Sequence, residues 1–256
     1  MMDLSVILPA RNERGSIEAT LRELYRVLSR EGIRHELLVI NDGSTDGMEG
    51  LLETLRQDIP TLIACDNPAP HGFGYAVRKG LTVYQGEAAA IYMADGSDDP
   101  EDLVRFYRAL GDPRVDCVFG SRFMKNGRVV EYPPLKKILN RLGNWFIQGL
   151  FRLAYNDVTN AFKLYRRATL EGLKPYLSPH YNLTVELPLK AIIRGYHYVV
   201  LPNQWTNRRA GESKLRIKEM GSRYLFIVLY CFIEKWLTHG DYHSNANRAL
   251  PQRSEA

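Results

Sequence analysis

The chain has 256 residues, 45% hydrophobic and 25% charged, enough to fill an ordinary core without a disulfide or structural metal. Its 20 Gly and 13 Pro are close to average usage and exclude a collagen-like or disordered chain. The net charge of +5 is mild and suits anionic partners: nucleotides, phosphorylated lipids, a membrane surface or nucleic acid.

In chain order, residues 4–9 are a short apolar run that predicts a strand. Ser16 is placed to cap a helix whose Ile17, Leu21, Leu24 and Leu28 share one face. Residues 36–40 predict a second strand, and Met48, Leu51, Leu52 and Leu55 a second helix. Residues 61–64 predict a third strand, followed by a helix on Phe73, Ala76, Val77, Leu81 and Tyr84. A fourth strand at 88–93 leads to Pro100, suited to the first turn of a helix, and a fifth lies at 116–120. Repeated units of this length predict an α/β fold, a parallel sheet covered on both faces, with ligands at the carboxyl ends of its strands. Those ends are polar: Arg11 and Glu13 after the first, Asp42 and Asp46 after the second, Asp95, Asp98 and Asp99 after the fourth, Arg122 after the fifth.

Past residue 130 the texture changes. Residues 133–155 carry Leu135, Ile138, Leu139, Leu142, Phe146, Leu150 and Leu153 at helical spacing, with Lys136, Lys137 and Arg141 mostly off the stripe and Trp145 beside it. Two readings fit: a helix lying in a bilayer interface, or a core helix with a solvated face. The stretch 221–237 is apolar nearly all round, either buried or interfacial, and residues 241–256 read as a disordered tail. The longest apolar run, 224–233, falls short of the ~20 residues of a membrane span. The first residues lack a basic region before an apolar core, so no signal peptide is expected. Cys65, Cys117 and Cys231 have neither disulfide nor zinc spacing, and a reducing compartment is expected.

Three constellations carry candidate chemistry. Carboxylates on the turn from Asp95 to Asp102 suit Mg²⁺ or Mn²⁺, or else favour the positive end of the helix that starts at Pro100. Asp42 is either a turn residue or an acceptor for a base ring. Residues 207–214 hold Arg208, Arg209, Ser213 and Lys214 around Gly211, an anion pocket or a solvated basic loop. Gly72, Gly74 and Gly80 mimic part of a dinucleotide fingerprint, but the third glycine is misplaced and the motif does not follow the first strand. Arg78 and Lys79 nearby remain candidates for phosphate contacts.

Residues 5–9 with Asn12 and Glu13, then 39–47 around Asp42, resemble the opening of a glycosyltransferase family 2 enzyme with the GT-A fold. Gly120-Ser121-Arg122, the run 157–163, Glu186 with Lys190, and 208–214 resemble dolichol-phosphate mannosyltransferases and their bacterial polyprenyl-phosphate relatives. The resemblance spans about residues 3–218 and implies a Rossmann-like nucleotide-sugar domain with a mostly parallel sheet and C-terminal amphipathic helices. It implies that Pro9, Ala10, Arg11 and Glu13 line the nucleotide, Asp42 holds its base, and Arg78 or Lys79 neighbours the diphosphate. Asp95 matches the second Asp of the metal motif for Mg²⁺ or Mn²⁺, and Asp98 or Asp99 is the candidate for a further carboxylate. Met93 stands where the family has its first Asp. Arg122, Arg208, Ser213 and Lys214 fall near donor and acceptor phosphates, and Asp157 and Glu186 are either the bases, if the acceptor is a hydroxyl, or structural partners for nearby Arg and Lys.

The expected organisation is a GT-A domain at 3–207, a phosphate-binding loop with an amphipathic helix at 208–240, and the tail. The expected activity is inverting transfer of a sugar from a nucleotide-sugar donor to a polyprenyl phosphate, by a peripheral enzyme on the cytoplasmic face of the membrane. The alternatives are transfer to a saccharide hydroxyl in polysaccharide synthesis, or a GT-A domain that binds without turnover. Nucleic acid fits the charge but not the acidic rim.

Overall fold

The computed structural model describes residues 3–207 and 217–243. Four strand–helix units and a fifth strand open the chain: β1 (Leu4–Ala10), α1 (Arg14–Arg30), β2 (His35–Asn41), α2 (Met48–Asp58), β3 (Leu62–Asp66), α3 (Phe73–Val83), β4 (Ala88–Ile91), α4 (Pro100–Leu110) and β5 (Cys117–Ser121). After them come β6 (Arg128–Val130), α5 (Pro134–Phe151), β7 (Lys163–Arg166), α6 (Arg167–Gly172), α7 (Leu183–Ile193), β8 (Tyr198–Pro202), β9 (Gln204–Thr206) and α8 (Ile217–Leu237). Seven strands make one sheet in the order β3-β2-β1-β4-β7-β5-β8. It is parallel except for β7, which runs antiparallel between β4 and β5. The sheet is therefore mostly parallel, as the resemblance implies.

Alternation along β1 divides the core. Leu4, Val6 and Leu8 face α1, α2 and α4, while Ile7 faces the layer of α3, α7 and α8. Both faces are covered, so a run such as Leu37–Ile40 is buried throughout. The helix stripes fall where their spacing puts them: Ile17, Leu21, Leu24 and Leu28 of α1 are all buried. Ser16 is not the cap of α1. The helix starts two residues earlier, and the Ser16 hydroxyl instead reaches the Glu13 and Ala94 carbonyls. Pro100 does begin α4, capped by Asp99, whose side chain accepts the Glu101 amide at 2.9 Å.

A second, two-stranded sheet pairs β6 with β9 in parallel. It ties the distal end of the chain to the acidic turn, because Thr206 N–H donates to the Ser97 carbonyl at 2.9 Å. Residues 208–216, with Arg208, Ser213 and Lys214, lie outside the described residues, as do 244–256 of the expected tail.

Candidate active site

Strands β2, β1 and β4 are neighbours, so the loops after them meet on one rim. The first two loops are stitched together. Asn12, at φ 53°, takes the Thr45 amide on its Oδ1 at 2.7 Å and donates its own amide to Ser44 Oγ at 3.0 Å. Arg14 N–H donates to Asp46 Oδ2 at 2.9 Å. Pro9, Ala10, Arg11 and Glu13 are thus brought beside Asp42, whose amide donates to the Ala10 carbonyl at 2.8 Å.

The Asp42 carboxylate is already engaged by the protein. Its Oδ1 accepts Asn67 Nδ2 at 2.7 Å and contacts His71 Nδ1 at 3.2 Å, and its Oδ2 accepts the Gly72 amide at 2.9 Å. The loop from β3 to α3 is folded over it. Gly74 has to be glycine for this: a Cβ there would lie 2.4 Å from the Ser178 carbonyl, on the segment that packs against the start of α3. Arg78 and Lys79 lie in the second turn of α3, and the Arg78 guanidinium sits 5.7 Å from the Tyr75 ring.

After β4 the chain turns through Gly96, and Asp95 Oδ1 accepts the Ser97 amide at 3.1 Å. The carboxylates of this turn divide between the two readings of the sequence. Asp99 is a helix cap, and Asp102 holds Arg105 and the Gln204 amide. Asp95 and Asp98 are buried and line a cavity. Burial, reinforced by the charge of Asp95, pushes the Asp98 carboxyl up to about 8.

Arg122 follows β5 and is 8% exposed. Its backbone amide, Nε and Nη2 donate to Asp157 at 2.9, 2.8 and 2.8 Å. Burial alone would lower the guanidinium pKa, but the Asp157 carboxylate overrides it and raises the value. Asp157 is fully buried, with both oxygens taken by Arg122, and is not available as a base. The same holds for Glu186. It is 0% exposed and accepts the Leu177 and Ser178 amides at 2.8 and 2.7 Å and Lys190 Nζ at 2.6 Å. Of the two roles the sequence leaves open for Asp157 and Glu186, these contacts favour partners of Arg122 and Lys190, since each buried carboxylate already accepts three donors.

The cavity holds about 460 Å³. Its polar end carries Asp95, Ser97, Asp98, Arg122, Tyr132 and Lys136. Its other end is apolar and runs between α5 and α8, past Leu139, Phe146, Ile147, Leu225 and Val228. In the sequence Lys136 reads only as part of a basic helix face, and nothing marks Tyr132. Tyr132 comes to the site through ring contacts, packing at a tilt against Trp205 with centroids 4.9 Å apart and with the Arg122 guanidinium 5.8 Å from its own ring.

The stripe on α5 mostly faces outward. Leu135, Ile138, Leu139, Leu142, Trp145 and Phe146 are 41–67% exposed, and only Asn144, Ile147 and Phe151 are buried. On α8, Leu225, Phe226, Leu229, Ile233, Trp236 and Leu237 are exposed while Ile227, Val228 and Cys231 pack inward. Arg141 lies 5.2 Å from the Trp145 ring and Lys235 5.7 Å from that of Trp236, so cations border the apolar surface. Among the described residues no helix is long and apolar enough to cross a membrane.

A family model described as Glycosyl transferase family 2 matches residues 5–173. The polyprenol monophosphomannose synthase of Mycolicibacterium smegmatis is 30% identical over 216 residues, 82% of this chain and 80% of that protein. The undecaprenyl-phosphate mannosyltransferase of Micrococcus luteus is 26% identical over 240 residues, 92% of this chain and 96% of that protein. Among solved structures, the glucosyl-3-phosphoglycerate synthase of Mycobacterium tuberculosis, in complex with Mn²⁺, uridine diphosphate and phosphoglyceric acid, superposes with a TM-score of 0.67. That match covers 91% of this chain and 78% of the other at 16% identity, a likeness of fold.

Proposed function

This chain belongs to glycosyl transferase family 2, a glycosyltransferase that takes its sugar from a nucleotide-sugar donor, and we propose that its acceptor is a polyprenyl phosphate. The cavity carries this reading. An acceptor with an anionic head and an apolar chain fits a site with Arg122 and Lys136 at one end and an apolar groove between two outward-facing helices at the other. The two relatives named for polyprenol and undecaprenyl phosphate support it.

In the proposed reaction a phosphate oxygen attacks the anomeric carbon, the bond from that carbon to the diphosphate breaks, and the nucleoside diphosphate departs with the electron pair. The anomeric configuration inverts. No base is needed, because a phosphate monoester with a second pKa near 6 is already largely dianionic at pH 7. That agrees with Asp157 and Glu186 being consumed by Arg122 and Lys190. Arg122, pinned by Asp157, supplies fixed positive charge at the polar end of the cavity.

The residues at the turn after β4 fit a divalent cation. Ser97 Oγ is buried without a hydrogen-bond partner and lines the cavity between Asp95 and Asp98. Asp95, Asp98 and Ser97 would hold the ion, with donor phosphates and water completing the shell. Bound there, Mg²⁺ or Mn²⁺ supplies charge to the leaving diphosphate. Met93 leaves two carboxylates, which suffices for Mg²⁺ held partly by phosphate.

The exposed apolar faces of α5 and α8 are proposed to rest in the bilayer interface, so that the groove opens toward the lipid. The test offers purified enzyme each nucleotide sugar with four acceptors: a polyprenyl phosphate, the matching prenyl alcohol, 3-phosphoglycerate and a saccharide. Transfer to the polyprenyl phosphate alone is expected. Transfer to 3-phosphoglycerate or to the saccharide, with the lipid phosphate untouched, overturns the proposal.

A further inference from the structure

At the end of β2 the group presented to the rim is the His71 ring rather than the Asp42 carboxylate. Asp42 is 5% exposed and its oxygens hold Asn67, His71 and Gly72. The His71 side chain is 33% exposed. Its ring packs against Gly43, where a Cβ would come within 2.7 Å of Cε1 and 2.8 Å of Nε2. Gly43 also has φ +69°, so both the backbone and the ring require glycine there. The imidazole is thus held between a carboxylate and bare backbone.

That arrangement fixes the tautomer. An ionised carboxylate only accepts, so Nδ1 carries the proton that points to Asp42. Nε2 is left as an acceptor, and no hydrogen bond to it is formed among the described residues. We infer that His71, oriented by Asp42, is the side chain that reads the donor's nucleobase, by accepting a ring N–H on Nε2. This selects lactam bases, uracil or guanine, whose ring nitrogen carries a proton. Cytosine and adenine present a lone pair at the matching ring nitrogen, which would face the Nε2 lone pair. The inference rests on the donor nucleotide lying at the ends of β1 and β2, and it moves base recognition from Asp42 to its neighbour.

Calorimetry with UDP, GDP, CDP and ADP in the presence of Mn²⁺, with no acceptor, tests it. The wild type should bind UDP or GDP at least about tenfold more tightly than CDP and ADP, the scale of one hydrogen bond set against one repulsion. His71→Asn puts an amide N–H where Nδ1 stood and deletes the Nε2 acceptor. It should bring the four nucleotides within a factor of about three of one another. His71→Gln puts an amide oxygen near the Nε2 position and should restore part of the preference. Equal binding of all four by the wild type overturns the inference, and so does wild-type discrimination in His71→Asn. Binding of none of them by the wild type overturns the donor placement itself, and this inference with it. If His71→Asn does not fold, the wild-type ranking and His71→Gln still decide, because a Gln variant with no preference contradicts the acceptor role.

Discussion

Arg122 and Asp157 lie 35 residues apart in sequence, yet the backbone amide and two guanidinium nitrogens of the one close on the two carboxylate oxygens of the other. The pair joins the end of β5 to the turn before β7, both at the cavity. Its forked geometry aims the guanidinium by fixing its plane as well as its charge.

Removing one member should therefore be costly. Asp157→Ala leaves a buried guanidinium without its counter-charge and should lower stability by about 3–5 kcal/mol in urea unfolding. Arg122→Lys keeps the charge but cannot reproduce the fork, and turnover should fall even where the protein stays folded. A pH–rate profile for folded Asp157→Asn that lost only its base-limited limb would instead return Asp157 to the role of base.

Glu186 gives a cleaner separation of fold from chemistry. Glu186→Gln leaves Lys190 buried with an amide in place of its anion, and should lower the melting temperature. Turnover per folded molecule, measured well below that temperature, should remain close to wild type. A collapse of kcat in fully folded Glu186→Gln would contradict the structural assignment.

The strands that bear the rim are legible in the sequence because each is a short apolar run bounded by turn residues. Strand β7 is not. Its four residues, Lys163 to Arg166, have charged ends, and only the fold reveals that those ends reach buried carbonyls. The carboxylates are legible as candidates but not as partners. The spacing of Glu186 and Lys190 offered a pairing signal, since i and i+4 are neighbours on a helix. Nothing local links Arg122 to Asp157, or Tyr132 to Trp205, because those contacts depend on strand order.

Lys163 supplies a pH test. Its Nζ is buried and donates to the Val158 and Thr184 carbonyls at 3.1 and 3.0 Å and also to that of Asn160. Burial pulls its pKa down to about 7, against the upward pull of Asp157. From about pH 7 toward the ordinary lysine value near 10.4, the unfolded chain holds a proton that the folded one has released. Stability conferred by Lys163 should therefore rise with pH across that window. Unfolding free energies of wild type and Lys163→Met, compared at pH 6 and pH 9, should show the larger gap at pH 9. An equal or smaller gap at pH 9 would mean that the ammonium stays charged in the fold.

The metal site makes a prediction in the same spirit. Asp98, held up to about 8, must give up its proton to bind a cation, so Mn²⁺ affinity in the presence of nucleoside diphosphate should rise with pH up to about 8. Met93→Asp adds a carboxylate beside it and should tighten Mn²⁺ binding most at the alkaline end, where protons compete least. Bound Mn²⁺ can be counted by electron paramagnetic resonance. Affinity independent of pH in the wild type would remove Asp98 from the site, and full turnover in excess chelator would remove the ion from the reaction.

The outward faces of α5 and α8 should set membrane affinity, and two residues test them. Trp145 is 55% exposed and Phe226 is 61% exposed, one on each helix. Each ring, if buried in the interface, contributes about 1.5–3 kcal/mol. Trp145→Glu or Phe226→Glu should therefore weaken vesicle partitioning by at least about tenfold, since 1.4 kcal/mol is a factor of ten. Neither change touches the core, so melting temperatures should move little. Vesicles of phosphatidylcholine with phosphatidylglycerol, sedimented over a salt series, separate the two contributions. Salt should screen the attraction of Arg141 and Lys235 for anionic head groups, and a salt-resistant fraction should remain from apolar burial. In the glutamate variants that remaining fraction should be the part that falls. Wild-type partitioning in both variants, or complete release of the wild type by salt alone, would show that these faces do not enter the interface. The groove between them would then need another route to a lipid acceptor.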